Sequence, residues 1–438
     1  MGGGVPLCSP LGVTMTGATM TNGRTGCSRR RFLTWAAAAG ASGVYGCSGG
    51  AGPGDVAATG GWVSGTGGAI STGGSGGDVP VGAGGAAGAE ATGGAAGVQG
   101  ARVALVRCES YVTSVVTEAL RLAFDRIGGL TALVRSKTVT VKVNLTGNEF
   151  SSLFGLPPGE SYLTHDSTAV ALAALLLEAG ARRVRFVESA PFTASLPEVM
   201  GMAGWDANAL ASVGNIEFEN TRNLGSGSSY ARVSVPDGGR LHSYFELNRA
   251  YVDTDVFVSL AKMKQHVIAG LTLSLKNLFG LTPNSLYSDQ TYAGEAALGY
   301  RGPMHAREGH AAFPGEIDGY ADAGPDQRVP RIITDLCAAR PVHLSIVDGI
   351  TSMRGGEGPW NPNLSPVAPG LLAVGFDPVA TDAVCAAAMG FDPRGWSLTP
   401  SSNAENHILL AEAAGLGTAD LDAIELPGLS VEEALYPF

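Results

Sequence analysis

From Ala101 onward the chain alternates short, nearly continuous apolar runs with longer helical stretches, and this alternation constrains the fold more than any other feature. The apolar runs predict strands over 103–107, 139–145, 184–188, 216–219, 256–260, 343–347 and 371–376. Runs of this kind, apolar at successive positions, are what parallel strands buried on both faces require. Between them, helical spacing predicts helices over 112–127, 168–179, 329–339, 379–389 and 404–414. Gly180 and Gly390 stand where helices end, and Asp377-Pro378 reads as a cap followed by a first-turn proline. Strand–helix alternation predicts an α/β fold, a doubly wound, mostly parallel sheet with helices on both faces.

The first hundred residues cannot join that core. Of the 64 glycines of the 438-residue chain, 31 lie in these hundred residues. Residues 48–100 are mostly Gly, Ala, Ser and Thr, too poor in apolar surface to offset chain entropy, and are expected to form a disordered tether. Ahead of it, Ser28-Arg29-Arg30-Arg31-Phe32-Leu33 has the form of a twin-arginine export signal, followed by a short apolar stretch. Val44-Tyr45-Gly46-Cys47 resembles a lipobox with Tyr45 in place of a small residue, which makes Cys47 a candidate lipidation site. The expected organisation is therefore signal over 1–47, linker over 48–100 and one folded domain over 101–438. The expected location is outside the cytoplasm, periplasmic or at the cell surface, and the expected partner is the twin-arginine export machinery. Contact with a membrane is expected through a lipid alone, because no apolar run reaches the roughly 18 residues of a spanning helix.

Charge and cysteine usage narrow the chemistry. A net charge of -11 with no basic stripe argues against nucleic acid as a partner. The cysteines include no CxxC pair, so an iron–sulfur cluster or a cysteine-held zinc is not expected. Within 101–438 neither a GxSxG elbow, a Walker loop nor a strand-following GxGxxG occurs, which argues against the common hydrolase, nucleotidase and dinucleotide-binding classes.

In open α/β sheets ligands bind beyond the carboxyl ends of the strands, so the polar residues there are the candidates. They are Lys142 and Asn144, Glu188-Ser189, Lys262 with Lys264 and His266, Asp348 with the loop Gly355-Gly356-Glu357-Gly358, and Asp377. The chain has five lysines among 28 basic residues, and four of them fall in two short polar segments set in apolar surroundings. A lysine retained where arginine is otherwise preferred suits a compact point charge with a movable pKa. The densest cluster is Lys262-Met263-Lys264-Gln265-His266 followed by Thr272-Leu273-Ser274-Leu275-Lys276-Asn277, where a helix would place Thr272 and Lys276 on one face. Asp382, inside an apolar helix, is expected to need a cationic partner, with lysine the natural candidate.

The proposed roles are His266, Lys276, Asp348 and Asp382 as catalytic groups, with Lys142, Asn144, Lys264, Asn277 and Glu188 binding substrate. In that scheme His266 acts as general acid or base and Asp348 or Asp382 orients it. His305 and His310 flank Glu308 and offer the alternative of a divalent metal.

At these positions the chain resembles the domain-of-unknown-function 362 family. The likeness runs over nearly all of 101–438. It rests on 139–144, Thr164-His165, 259–266, 273–280, 347–349 with Gly356-Glu357-Gly358-Pro359, and Asp377-Pro378-Val379-Ala380-Thr381-Asp382. Family members usually carry proline after the Thr-His pair, where this chain has Asp166. Some also carry a ferredoxin-like iron–sulfur module, for which this chain lacks the cysteines. The family has no general established activity, so the resemblance implies the fold and the pocket and no reaction. Three readings follow: an enzyme acting on a small anionic substrate, a non-catalytic ligand-binding or scaffold lipoprotein, and a metal-dependent redox protein without an iron–sulfur cluster.

Overall fold

The computed structural model describes residues 101–438 apart from 148, 224–229, 291–297 and 308. The twin-arginine motif, Cys47, the tether and Glu308 lie outside the described residues. Seven strands form one sheet: β1 (Val103–Arg107), β2 (Thr138–Lys142), β3 (Arg183–Glu188), β4 (Ile216–Asn220), β5 (Val256–Lys262), β6 (Leu344–Gly349) and β7 (Leu371–Gly375). Their spatial order is β1-β7-β6-β5-β2-β3-β4. All neighbours pair in parallel except β7, which runs antiparallel to both β1 and β6.

The two faces carry separate apolar cores. On one, Ala104, Val139, Phe186, Val258 and Ile346 pack under α1 (Thr113–Ile127) and α2 (Asp166–Glu178). On the other, Leu105, Val187, Phe257 and Val347 meet α3 (Pro325–Ala339), α4 (Pro378–Ala388) and α5 (His407–Ala413). Burial from both sides explains why all seven residues of β5 are inaccessible and why the strand reads as a continuous run. The sheet is thus α/β, mostly parallel and covered by helices on both faces. Among the described residues no helix is long and apolar enough to cross a membrane.

Boundaries moved for identifiable reasons. β2 stops at Lys142 because Asn144 N–H bonds the Thr164 hydroxyl at 2.8 Å instead of a neighbouring strand. α2 begins at Asp166, with His165 itself as the cap: its Nδ1 accepts from Ser167 N–H. Asn406 caps α5, so that helix starts at His407. Gly180 and Gly390 adopt φ of 95° and 84°, the left-handed conformation that suits glycine after a helix. Thr272 and Lys276 do not share a helix. Thr272 closes a hairpin in which Lys264–His266 pairs with Gly270–Thr272, and a single turn, Ser274–Asn277, follows.

Strand order decides where a site can form. From β2 the chain winds outward through β3 to β4, then returns to place β5 on the opposite flank of β2. Crossovers leaving β2 and β5 in opposite directions open a crevice between their carboxyl ends, at Lys142 and Lys262.

Candidate functional site

A cavity of about 400 Å³ occupies this crevice. Lys142, Asn144, Glu188, Lys264, His266, Lys276, Asn277 and His305 all line it. Loops far apart in sequence complete it, with Phe279, Asn284, Arg301, Glu357 and Trp360 among their contributions.

Its floor is a buried polar network. Lys142 Nζ donates to Glu188 Oε2 at 2.8 Å, Asn277 Oδ1 at 2.9 Å and the Val143 carbonyl at 2.7 Å, which uses all three of its protons. Glu188 also accepts from the backbone N–H groups of Leu145 and Ser189. Burial lowers the Lys142 pKa, while the Glu188 charge opposes that shift. Gly280 covers the pair so closely that a Cβ there would lie 2.6 Å from Lys142 Nζ and 2.9 Å from Glu188 Oε1. A side chain at this position would require the Lys142–Glu188 pair to shift.

The cations above the floor are held differently. Lys264 Nζ donates to the carbonyls of Tyr162 (2.6 Å) and Glu357 (2.9 Å), and burial takes its pKa well below the ordinary value. Arg301 spends Nε and Nη2 on the carbonyls of Thr282 and Ser189. Lys276 has neither a hydrogen bond nor an ion pair among the described residues, and its ammonium lies 4.6 Å from the centroid of the Phe279 ring. Burial pushes its pKa down to about 8, against the pull of the Glu357 charge. Among the described residues this partly buried ammonium makes no direct ion pair, and the Glu357 charge acts on it only from a distance.

Both histidines are neutral and differ in tautomer. His266 Nδ1 accepts from the N–H groups of Ile268 and Ala269, so the ring proton resides on Nε2. His305 Nδ1 lies 2.8 Å from the Arg301 carbonyl and must donate to it, which leaves a lone pair on Nε2. Burial, reinforced by the charge of Lys276, takes His266 well below its ordinary pKa and His305 down to about 4.

Four sequence expectations fail on geometry. Asp348 does not reach the cavity: its Oδ1 accepts from Tyr111 Oη at 2.9 Å and its Oδ2 pairs with Lys262 at 3.5 Å. Asp382 meets no lysine. Its two oxygens accept from the N–H groups of Ser274 and Leu275, both at 2.8 Å, and so cap the turn bearing Lys276 and Asn277. Neither aspartate orients His266; the nearest carboxylate is Glu357, 3.8 Å from His266 Nδ1. Asp377 lies at the opposite end of the sheet, because β7 runs antiparallel, and it caps α4.

His310 stacks on Phe313 with ring centroids 5.0 Å apart, while His305 packs on Phe279 inside the cavity. Among the described residues no three of His, Cys, Asp and Glu converge as metal ligands would. Arg301, Asn284 and Trp360 were not foreseen, since nothing in their local sequence marks them and only the folding of distant loops brings them in.

Residues 139–387 match the model of a family described as a domain of unknown function (DUF362). The chain belongs to this family. The match spans the strands β2 to β7 and the cavity between β2 and β5. A thylakoid-associated protein of Synechocystis sp. is 27% identical over 295 residues, which cover 66% of this chain and 75% of that one. A crystal structure of a Thermotoga maritima protein aligns with TM-score 0.35 and 16% identity over 64% of this chain and 59% of that chain. The lactate racemase apoprotein from Thermoanaerobacterium thermosaccharolyticum aligns with TM-score 0.29 and 15% identity over 62% and 54%. This chain therefore spans less than two thirds of the length of either solved structure.

Proposed function

We propose that the protein is an enzyme that binds a small anionic substrate in the β2/β5 cavity and moves protons at it. The observation carrying this reading is the unpaired ammonium of Lys276 beside two neutral histidines of opposite polarity. Lys276 holds the anionic group. The Nε2–H of His266 donates where negative charge develops, and Nε2 of His305 is placed to accept a proton. Lys142, Glu188 and Asn277 are saturated by one another, so they shape the floor and set its potential.

The test is calorimetric titration of wild type, Lys276→Met and His266→Ala with mono- and dicarboxylates and phosphate, with ligand turnover followed by proton NMR. Wild type should bind at one site per chain, and Lys276→Met should bind at least tenfold more weakly, the equivalent of about 1.4 kcal/mol. Equal binding by all three proteins would sink the proposal.

A second reading, capture without chemistry, is favoured by the saturation of Lys142 and Glu188 within the protein. It predicts tight binding with no change in the ligand. The twin-arginine segment and Cys47 support export and a lipid anchor; fractionation, with palmitate labelling that disappears in Cys47→Ala, tests both.

A further inference from the structure

The charges that line the cavity do not balance. Among the described residues, four basic side chains (Lys142, Lys264, Lys276 and Arg301) share the wall with two carboxylates, Glu188 and Glu357. Lys142 and Glu188 neutralise each other at 2.8 Å. Glu357 is the largest charge favouring the ammonium of both Lys264 and Lys276, yet one carboxylate offsets only one of them. The neutral histidines contribute nothing to the sum. Two positive charges therefore remain, one of them on Arg301. Cations withdrawn from water beside one another are unfavourable both by desolvation and by repulsion, so the wall calls for negative charge from outside the protein.

Two of these cations also keep donors free. Lys276 Nζ has no hydrogen bond or ion pair among the described residues. Arg301 gives Nε to the Thr282 carbonyl and Nη2 to the carbonyls of Thr282 and Ser189, while its Nη1 has no partner among the described residues. Neither nitrogen is sealed from solvent, unlike the buried Nη2 of Arg328, and both belong to residues that line the cavity. Burial takes the Arg301 pKa down to about 10, so the group stays charged at neutral pH. The guanidinium is planar, and the two carbonyls that hold one edge fix the direction of Nη1.

We infer that the ligand is a small dianion, one negative charge taken by Lys276 and the other by Nη1 of Arg301. The inference rests on the anion-binding reading above and adds the charge that the ligand carries. A short dicarboxylate and a phosphate monoester share this chemistry. A cavity of about 400 Å³ lies within the roughly 300–1,000 Å³ range of small-molecule sites and has room for either. Two arriving negative charges also favour the ammonium of Lys264, whose pKa burial lowers.

Calorimetry on the full chain at pH 7.5 tests it with pairs of similar size and different charge: succinate against succinamate, glutarate against glutaramate, and methyl phosphate against dimethyl phosphate. At least one dianion should bind roughly tenfold or more tightly than its monoanionic match. A preference confined to the dicarboxylates, or to methyl phosphate, identifies which kind of dianion the site takes. Arg301→Gln should remove most of the preference and leave monoanion affinity within about threefold of wild type, whereas Lys276→Met should weaken both members of a pair. The wild-type comparison needs no variant, so loss of fold in Arg301→Gln does not remove the test. If each monoanion binds as tightly as its dianion and Lys276→Met weakens that binding, the dianion class is wrong and the anion site stands. A folded Arg301→Gln protein that keeps the full preference overturns the role given to Arg301. If no anion in the panel binds, both readings fall.

Discussion

His266 and His305 face one cavity with opposite ring polarity: Nδ1 of His266 accepts from two backbone N–H groups, and Nδ1 of His305 donates to the Arg301 carbonyl. The backbone therefore chooses each tautomer before a ligand arrives, so one ring offers a proton and the other a lone pair. Long-range nitrogen–proton NMR correlations should show His266 protonated at Nε2 and His305 at Nδ1, with neither ring titrating between pH 5 and 8. The same tautomer on both rings, or a titration in that window, would contradict the arrangement.

Lys276 sets the expected pH dependence of binding. Burial lowers its pKa to about 8, so the ammonium is present below that value and is lost as pH rises through it. Anion affinity should be flat from pH 6 to 7.5 and fall about tenfold per unit well above 8, as one required proton is lost. Lys276→Met should abolish that slope. The linkage to stability has the opposite sense: a lysine with a lowered folded pKa binds fewer protons folded than unfolded, so this group makes the fold more stable as pH rises from about 8 toward its ordinary value.

Asp382 is a positioning residue, buried in α4 and joined to the site by the turn it caps. Replacing its carboxylate with an amide turns one acceptor into a donor facing a backbone N–H. Asp382→Asn should lower the melting temperature, equivalent to about 1–3 kcal/mol, and weaken anion binding without any contact to the ligand. Unchanged affinity in a folded Asp382→Asn protein would show that the turn does not depend on this cap.

The Lys142–Glu188 pair, with side chains only 2% and 4% exposed, should behave asymmetrically. Removing either partner leaves a buried charge, at about 3–5 kcal/mol in chemical denaturation, whereas Lys142→Met with Glu188→Leu should recover much of that loss. Additive losses in the double variant would show that the two charges are not coupled.

Gly280→Ala offers a sharper probe of the same floor, because the added Cβ would lie 2.6 Å from Lys142 Nζ. The variant should be destabilised and bind anions more weakly. Wild-type stability would mean that the ammonium can shift without loss.

The sequence by itself determined the elements and the end of the sheet where polar residues gather. Hydrophobic periodicity, the capping residues around Pro378 and the glycines at 180 and 390 are local signals, and local energetics decide them. Tertiary structure decided which of those residues meet. Lys262 and Lys264 lie two positions apart, yet one pairs with Asp348 beneath Tyr111 while the other lines the cavity, because β5 ends between them and a hairpin begins. The antiparallel course of β7 carried Asp377 to the far end of the sheet, and no local pattern encodes a strand's direction. Arg301 and Trp360 entered the cavity through loop closure across long stretches of chain, and Asp382 found backbone N–H groups in place of a lysine. Charge partners depend on distance in space, which composition and spacing along the chain do not contain.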